Sequence, residues 1–481
     1  MAVTRYSGLV HTVHVGWICR FKSGLRVRGT GPVLAVALMG ALVAVCTPAD
    51  ASVRAGSSLP QALDTEAFSG QGELAFVSSG ALFVLDGSTQ SVRRVTTGQP
   101  VPFDPAFSHD GRWLAFLRPG GGQGEDVLWM ARGDGADAHR VKGIPAVVEI
   151  PDSDGSVMSW DPTRDQLLVT TGPVIGAPLV PRQVWIVSPT GPQRRLLGPG
   201  YVNGVAWSPD GTQVAAVWSA TGLDDEALES VPAGGGPATS WIKPSAQAQY
   251  FLAGWSSHFG ILLWLDAGGG GPSTGNYGWP LGVIPGPGAS ITELGTVPVF
   301  QQPALAIGAK ALAIVVNGNT SNGQGEGEKF VWFGKTVERC QSASACSPVS
   351  APTSSVTDDP TISPVDGSTA FIEAPQSRVD LPPLYSSAAS WEQVESWYAG
   401  DALWTVQAGS DAPVQVANTT GAVDPVFSEE GSGLVFVKDQ ALWLLSGPAS
   451  QPVEIAGPLQ RPPSPYLFGY IGWPDEFAWW G

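Results

Sequence analysis

Apolar residues along this chain come in runs of four or five, and a polar turn precedes most of them. The recurring unit is an aromatic or Ile residue, a Ser- or Pro-containing turn that often ends in Asp-Gly, and then the apolar run. Its clearest copies are FSHDGRWLAFL (Phe107 to Leu117), WSPDGTQVAAV (Trp207 to Val217), ISPVDGSTAFI (Ile362 to Ile372) and FSEEGSGLVFV (Phe427 to Val437). Each predicts a strand, a tight turn and a second strand, because Asp and Gly satisfy the backbone of such a turn at little steric cost. Looser copies begin at Trp160, Trp255 and Ile307, so the seven anchors stand 53, 47, 48, 52, 55 and 65 residues apart.

Downstream of each hairpin, an apolar segment, usually centred on an aromatic, predicts a third strand. Examples are ALFVL from Ala81, VLWMA from Val127, VWIVS from Val184, FVWFG from Phe330, ALWTV from Ala402 and ALWLL from Ala441. Polar turns then lead to fourth strands such as SVRRVTT, AHRVKG and QRRLLG. Four short strands in a repeat of roughly 40 to 50 residues predict an all-β chain, a single β-propeller of four-stranded antiparallel blades. Seven full units plus residues 73 to 98 give eight blades, with seven as the alternative count. The expected propeller spans residues 64–481, after a linker at 52–63.

Two segments compete for the innermost place in the first blade. EAFSGQGELAFV (Glu66 to Val77) resembles the second repeat, and YIGWPDEFAWWG (Tyr470 to Gly481) resembles LAGWSSHFGILLW. If the segment 466–481 takes that place, the two ends of the chain share one blade and no sheet edge is left exposed. Residues 375–400 interrupt the seventh repeat, and Trp391, Val394 and Trp397 or Tyr398 there have helical spacing. A helix would act as a strap on the blade edge or as a lid at the mouth of the ring.

The first 51 residues differ. Arg5, Arg20, Lys22, Arg26 and Arg28 precede an uncharged run, Val33 to Val45, that ends at Ala49-Asp50-Ala51. This predicts an export signal cleaved after Ala51, with retention as an anchor or lipidation at Cys46 as alternatives. The mature chain is then exported (periplasmic, cell-surface or extracellular), has no membrane span and is a monomer. The whole chain carries 25 Lys plus Arg against 42 Asp plus Glu, a net charge of −17; without residues 1–51 the balance is about −21. Such a surface repels nucleic acid and anionic lipid. Cys340 and Cys346 are the two cysteines left, and an oxidising compartment favours a disulfide between them.

The FSxDGxxLAF hairpin followed by the apolar-aromatic third strand resembles the TolB-like group of WD-type β-propellers, which includes the propeller of the dipeptidyl peptidase IV family. The resemblance runs over about residues 64 to 456. It implies an exported propeller that binds a protein, peptide or small ligand at the ring's mouth or in its central channel.

No chemistry of a recognised kind stands out. A peptidase of that family needs an α/β-hydrolase domain, and 26 residues follow Ile455. The GxSxG string at 271–275 follows glycines where a nucleophile needs a strand. Asp152-Ser153-Asp154-Gly155 opens like a calcium loop, but Thr163 stands where the bidentate acid belongs. His109, His139 and His258 are too few and too scattered for a metal site. Asp110, Asp210 and Asp366 belong to the Asp-Gly turns. More informative are Asp104, Asp359 and Asp424, each three residues before an anchor, with Asp64 and Glu66 near the same place in the first repeat. Four consecutive blades would then present acid at the mouth of the ring, where it would attract a small cation, an amine or a basic peptide; alternatively Asp-Pro starts a turn and Asp caps an amide. In the other repeats the position holds Val157, Gly204, Leu252 or Ala304. The expected function is non-catalytic binding without a cofactor or metal; the alternative is a lyase, lactonase or glycosidase using the same mouth.

Overall fold

The computed structural model describes residues 59–120, 125–147, 158–172, 181–220, 226–244, 249–266, 279–297, 304–316, 336–349, 356–374, 391–447, 450–462 and 473–481. The expected leader, the Asp152–Gly155 motif, the 271–275 string and the FVWFG segment lie outside them. Strands are grouped in seven sheets: five of four strands, one of five and one of seven. Phe103–Phe107, Trp113–Pro119, Asp126–Arg132 and His139–Arg140 show the common plan, a meander in chain order with every neighbour antiparallel. The seven-stranded sheet is two such meanders joined by one 14-residue strand, Arg194–Trp207; its first half pairs with Arg182–Val187 and its second half with Gln213–Ser219.

Second strands explain the apolar runs. Leu74, Ala75, Phe76 and Val77 are all fully buried, and so are Leu114, Ala115 and Phe116 one sheet on. A strand with sheets packed on both faces needs apolar residues at every position, so the sequence shows a continuous run and not alternation. Phe76, Phe116, Phe371 and Phe436 occupy the same place in four second strands at zero exposure, each contributing about 2–3 kcal/mol by burial. First strands of consecutive sheets lie against one another: Phe477–Trp480 meets Phe103–Phe107, and Val356–Ile362 meets Val423–Phe427. The architecture is that of a β-propeller, with first strands innermost.

The turn chemistry follows the sequence. In the fourth repeat the Ser208 hydroxyl donates to Asp210 at 2.6 Å, the Thr212 amide donates to the same carboxylate at 3.0 Å, and Gly211 takes φ +67°. Bonds from Ser208 and then Thr212 hold Asp210 below its ordinary pKa. Asp110 and Asp366 make equivalent bonds. All three acids serve the fold.

Two expectations need correcting. The third strand of the sixth repeat is Thr336–Ser342, six residues beyond the start of FVWFG. It carries Cys340 directly opposite Cys346 on Ala345–Pro348, and a disulfide joins them. Ordered structure also begins before residue 64: Ala62–Leu63 pairs with Val453–Gly457 as an extra outer strand of the last sheet. The disulfide closes a short loop, so its chain-entropy contribution is about 2 kcal/mol. Replacing both cysteines by Ser is expected to lower the thermal midpoint by only a few degrees, as read by calorimetry.

Phe477–Trp480 pairs with Glu73–Phe76, so a strand from residues 477–480 is innermost in the sheet built from residues 73–94. The Trp479 indole donates to the Gln71 carbonyl at 2.7 Å, and that of Trp480 to the His109 carbonyl at 3.2 Å. Both rings lie on glycines: a Cβ at Gly433 would stand 2.8 Å from Trp479, and one at Gly111 would stand 2.4 Å from Trp480. Through these two rings one short strand touches the last sheet of the chain and the sheet of Phe103–Phe107.

Candidate functional site

Asp104, Asp359 and Asp424 share one backbone device. Each precedes a proline, each has φ between +46° and +50°, and at each the pairing with the second strand slips. The slips fall between Phe103 and Ala106, Asp358 and Thr361, and Val423 and Val426. These are β-bulges, which turn a side chain away from the direction its strand would give it. Left-handed backbone costs a non-glycine residue on the order of 1 kcal/mol, and Asp tolerates it better than most. The Asp-Pro pair is therefore a means of aiming a carboxyl at the entry of an innermost strand.

A fourth acid holds the same register. Asp104 stands three residues before Phe107, which pairs with Leu114, and Asp424 three before Phe427, which pairs with Leu434. Glu476 stands three before Trp479, which pairs with Leu74. It ends a short 3-10 turn, Trp473–Glu476, that packs against Phe103–Phe107. The arc of acids through four consecutive sheets is thus Asp359, Asp424, Glu476 and Asp104.

Asp64 and Glu66 are not part of it. Asp64 follows the outermost strand of the last sheet, where its carboxylate accepts the Ala67 amide at 2.9 Å, and Glu66 is exposed in the next turn. Their resemblance to the second repeat fails because the innermost strand comes from residues 477–480. Trp-Pro-Asp-Glu-Phe before the final Trp-Trp carried the correct signal, an acid three residues ahead of an anchor aromatic.

Burial and mutual repulsion set the electrostatics. Asp358, Asp359, Asp424 and Glu476 are 7%, 4%, 4% and 3% exposed. Burial, then the charge of Asp475, then that of Asp358, push Asp424 well above the ordinary carboxyl range. Burial and Asp475 push Glu476 up to about 9. Its Oε2 has no hydrogen-bond partner among the described residues. Asp424 makes no side-chain hydrogen bond among them either. Glu476 therefore holds its proton at neutral pH unless a cation neutralises it, and Asp424 is shifted in the same direction.

Elsewhere on this ring of positions the residues are small or apolar. Gly204, at φ +129°, meets the next sheet so closely that a Cβ would stand 2.7 Å from that of Leu252, and Leu252 and Ala304 are buried. Trp473 binds the predicted helix, Trp391–Tyr398, to the acidic side: the Trp391 and Trp473 rings are 5.8 Å apart. The Arg461 guanidinium lies 5.1 Å above Trp391 and pairs with Glu395. Packing on Trp473 makes the helix a strap over the turn that carries Glu476.

At the opposite end of the innermost strands, His109, Asp110 and Asp165 bring three ligand atoms within 4.8 Å of one another; among the described residues no other such group occurs. The Arg112 guanidinium pairs with Asp110 and, at 2.8 Å, with Asp165. That cation already neutralises the two carboxylates and ties two adjacent sheets together.

No known family profile matches the sequence, and no curated protein matches it. Similar solved structures exist. A prolyl endopeptidase is 9% identical at a TM-score of 0.46, covering 75% of this chain and 50% of that one. The β-propeller domain of the Trilobed protease from Pyrococcus furiosus is 10% identical at 0.39, covering 72% and 94%. TolB from Acinetobacter baumannii is 11% identical at 0.33, covering 56% and 60%. This chain thus spans about half the length of the endopeptidase. The neighbours are TolB and the peptidases, the group that the repeat resembles; with scores below 0.5, the propeller assignment rests on the sheets themselves.

Proposed function

We propose that the chain is an exported, monomeric, eight-bladed β-propeller that binds a cationic ligand, an amine or a basic peptide, at one mouth of its central channel, without catalysing a reaction on it. The five-stranded sheet counts as one blade, the seven-stranded as two, and the strand of residues 477–480 closes the first. One observation carries the binding role: in four consecutive sheets a carboxyl stands three residues ahead of an innermost-strand anchor, at a β-bulge in three of them and at the end of a 3-10 turn in the fourth, and three of the four are more than 90% buried. Burying that much acid costs stability that a fold alone has no reason to spend. The acids are distributed over four sheets, and among the described residues no three of their ligand atoms come as close as in the His109 group, which favours an extended organic cation over a compact metal ion. A small or apolar opposite side suits a ligand with one charged end.

Calorimetric titration with a tetralysine peptide tests this. Asp104→Asn with Asp424→Asn is expected to weaken binding at least about 10-fold, since each lost ionic contact is worth about 1 kcal/mol or more. The thermal midpoint of the double variant should be unchanged or higher. A fall in midpoint with unaltered binding would make these acids structural.

A further inference from the structure

A second cleft opens on the outer rim, far from the innermost strands. It has a volume of about 420 Å³ and lies between the outermost strand of one sheet, His139–Arg140, and the turn that joins Arg182–Val187 to Arg194–Trp207 in the next. Met130, Val141 and Pro189 form an apolar floor, and Ser188 and Gln193 stand on the far wall. His139, Arg140 and Lys142 line the near side.

These cations stand together and, among the described residues, have no acid beside them. Several arginines elsewhere are matched to carboxylates, Arg112 to Asp110 and Asp165, Arg132 to Asp137, Arg164 to Asp161, Arg339 to Asp411 and Arg461 to Glu395, and others, such as Arg94, Arg118 and Arg194, to backbone carbonyls. Among the described residues the side chains of Arg140 and Lys142 make neither an ion pair nor a hydrogen bond, and no acid lines the cleft. His139 bonds through Nδ1 to the Asp137 carbonyl at 2.8 Å, which fixes the ring and leaves Nε2 facing outward. Ser188 and Gln193 are held as well: the Gly191 amide donates to Ser188 Oγ at 3.0 Å, and the Ser188 amide to Gln193 Oε1 at 3.0 Å. A chain of net charge −17 would lower the self-energy of such a cluster by placing an acid beside it, and has not done so.

We infer that this cleft is a binding site for a small organic anion of the phosphate-monoester type, whose charged head engages Arg140 and Lys142 while its flat or apolar body rests on Met130, Val141 and Pro189. Guanidinium matches phosphate oxygens in a bidentate fork and ammonium adds a point charge, so the pair recognises a compact dianion. The volume falls within the range of small-molecule sites, and an apolar floor with a few polar groups is their usual make-up. The site is independent of the acidic mouth, and the two take ligands of opposite charge.

Phenyl phosphate is the probe, titrated into the purified protein at physiological salt. Saturable binding is expected, at least about 10-fold tighter than for inorganic phosphate and absent for phenol, with retention of the tetralysine response. Arg140→Gln with Lys142→Gln should abolish it; both side chains are exposed, so the variant should melt as the parent does. Val141→Ser retains the charges and should bring phenyl phosphate down to the affinity of inorganic phosphate. No saturable binding, or equal binding by the double variant, would overturn the inference. Equal affinity for phenyl phosphate and inorganic phosphate would do the same, since only the screened charge would then be at work.

Discussion

Deleting residues 477–481 is expected to lower the thermal midpoint by at least about 10 °C, or to abolish a single cooperative transition. The deletion removes Phe477 and Trp479, 4% and 8% exposed, and strips the partner from the Glu73–Phe76 edge. At about 1.5–3 kcal/mol for each large side chain returned to water, two or three such losses reach roughly 3–9 kcal/mol. A folded domain has about 5–15 kcal/mol in all. The last sheet and the sheet of Phe103–Phe107 also lose the indoles that lie on Gly433 and Gly111. Trp479→Ala isolates the packing part and should cost about 3–5 kcal/mol. An unchanged midpoint in calorimetry for the deletion would show that the strand of residues 477–480 is an ornament on a ring already stable without it.

Stability should also fall as pH rises from about 5 to 9, and Glu476→Gln should flatten that fall. Below about pH 4.5 the Glu476 carboxyl is neutral in both folded and unfolded chains. Above it the unfolded chain releases the proton while the folded one, with its pKa near 9, retains it. Each pH unit in this window then costs about 1.4 kcal/mol, on the order of 4 kcal/mol by pH 7.5, and the loss ends only when the folded form ionises too. Asp424 is shifted in the same direction and adds to the slope. Urea titrations at pH 5, 7 and 8.5 measure it. The parent should lose several kcal/mol across the series and the Gln variant markedly less; parallel curves would mean that Glu476 is ionised in the fold. Tetralysine should restore stability to the parent at pH 8.5, because a cation at the mouth takes over the role of the proton.

Most of the sheet order could be read from the chain because second strands are packed on both faces and so announce themselves as unbroken apolar runs after an Asp-Gly turn. Three members of the acidic arc were readable for a similar reason: Asp-Pro at a fixed distance from an anchor is a local pattern. Glu476 was not, since its place in the arc depends on pairing with Glu73–Phe76, and EAFSGQGELAFV imitated the missing strand. Asp358 and Asp475 went unnoticed because they act on Asp424, which lies in another sheet, and Asp475 acts on Glu476 besides. The approach of Asp165 to His109 comes from two turns of neighbouring sheets and leaves no periodic trace. In AHRVKG the bases read simply as a fourth strand, and only the turn at Ser188–Gln193 makes a cleft of them.

The Trp479 indole reaches back across 408 residues to the Gln71 carbonyl. During synthesis the sheet of residues 73–94 therefore waits, its innermost edge open, until residues 477–480 have emerged. A contact of such long range is slow to form, and an open edge is a template for pairing with other chains. Polypeptides interrupted before residue 477 would be left sticky, and the chain would need to be kept attended until the aromatic residues 477–480 arrive.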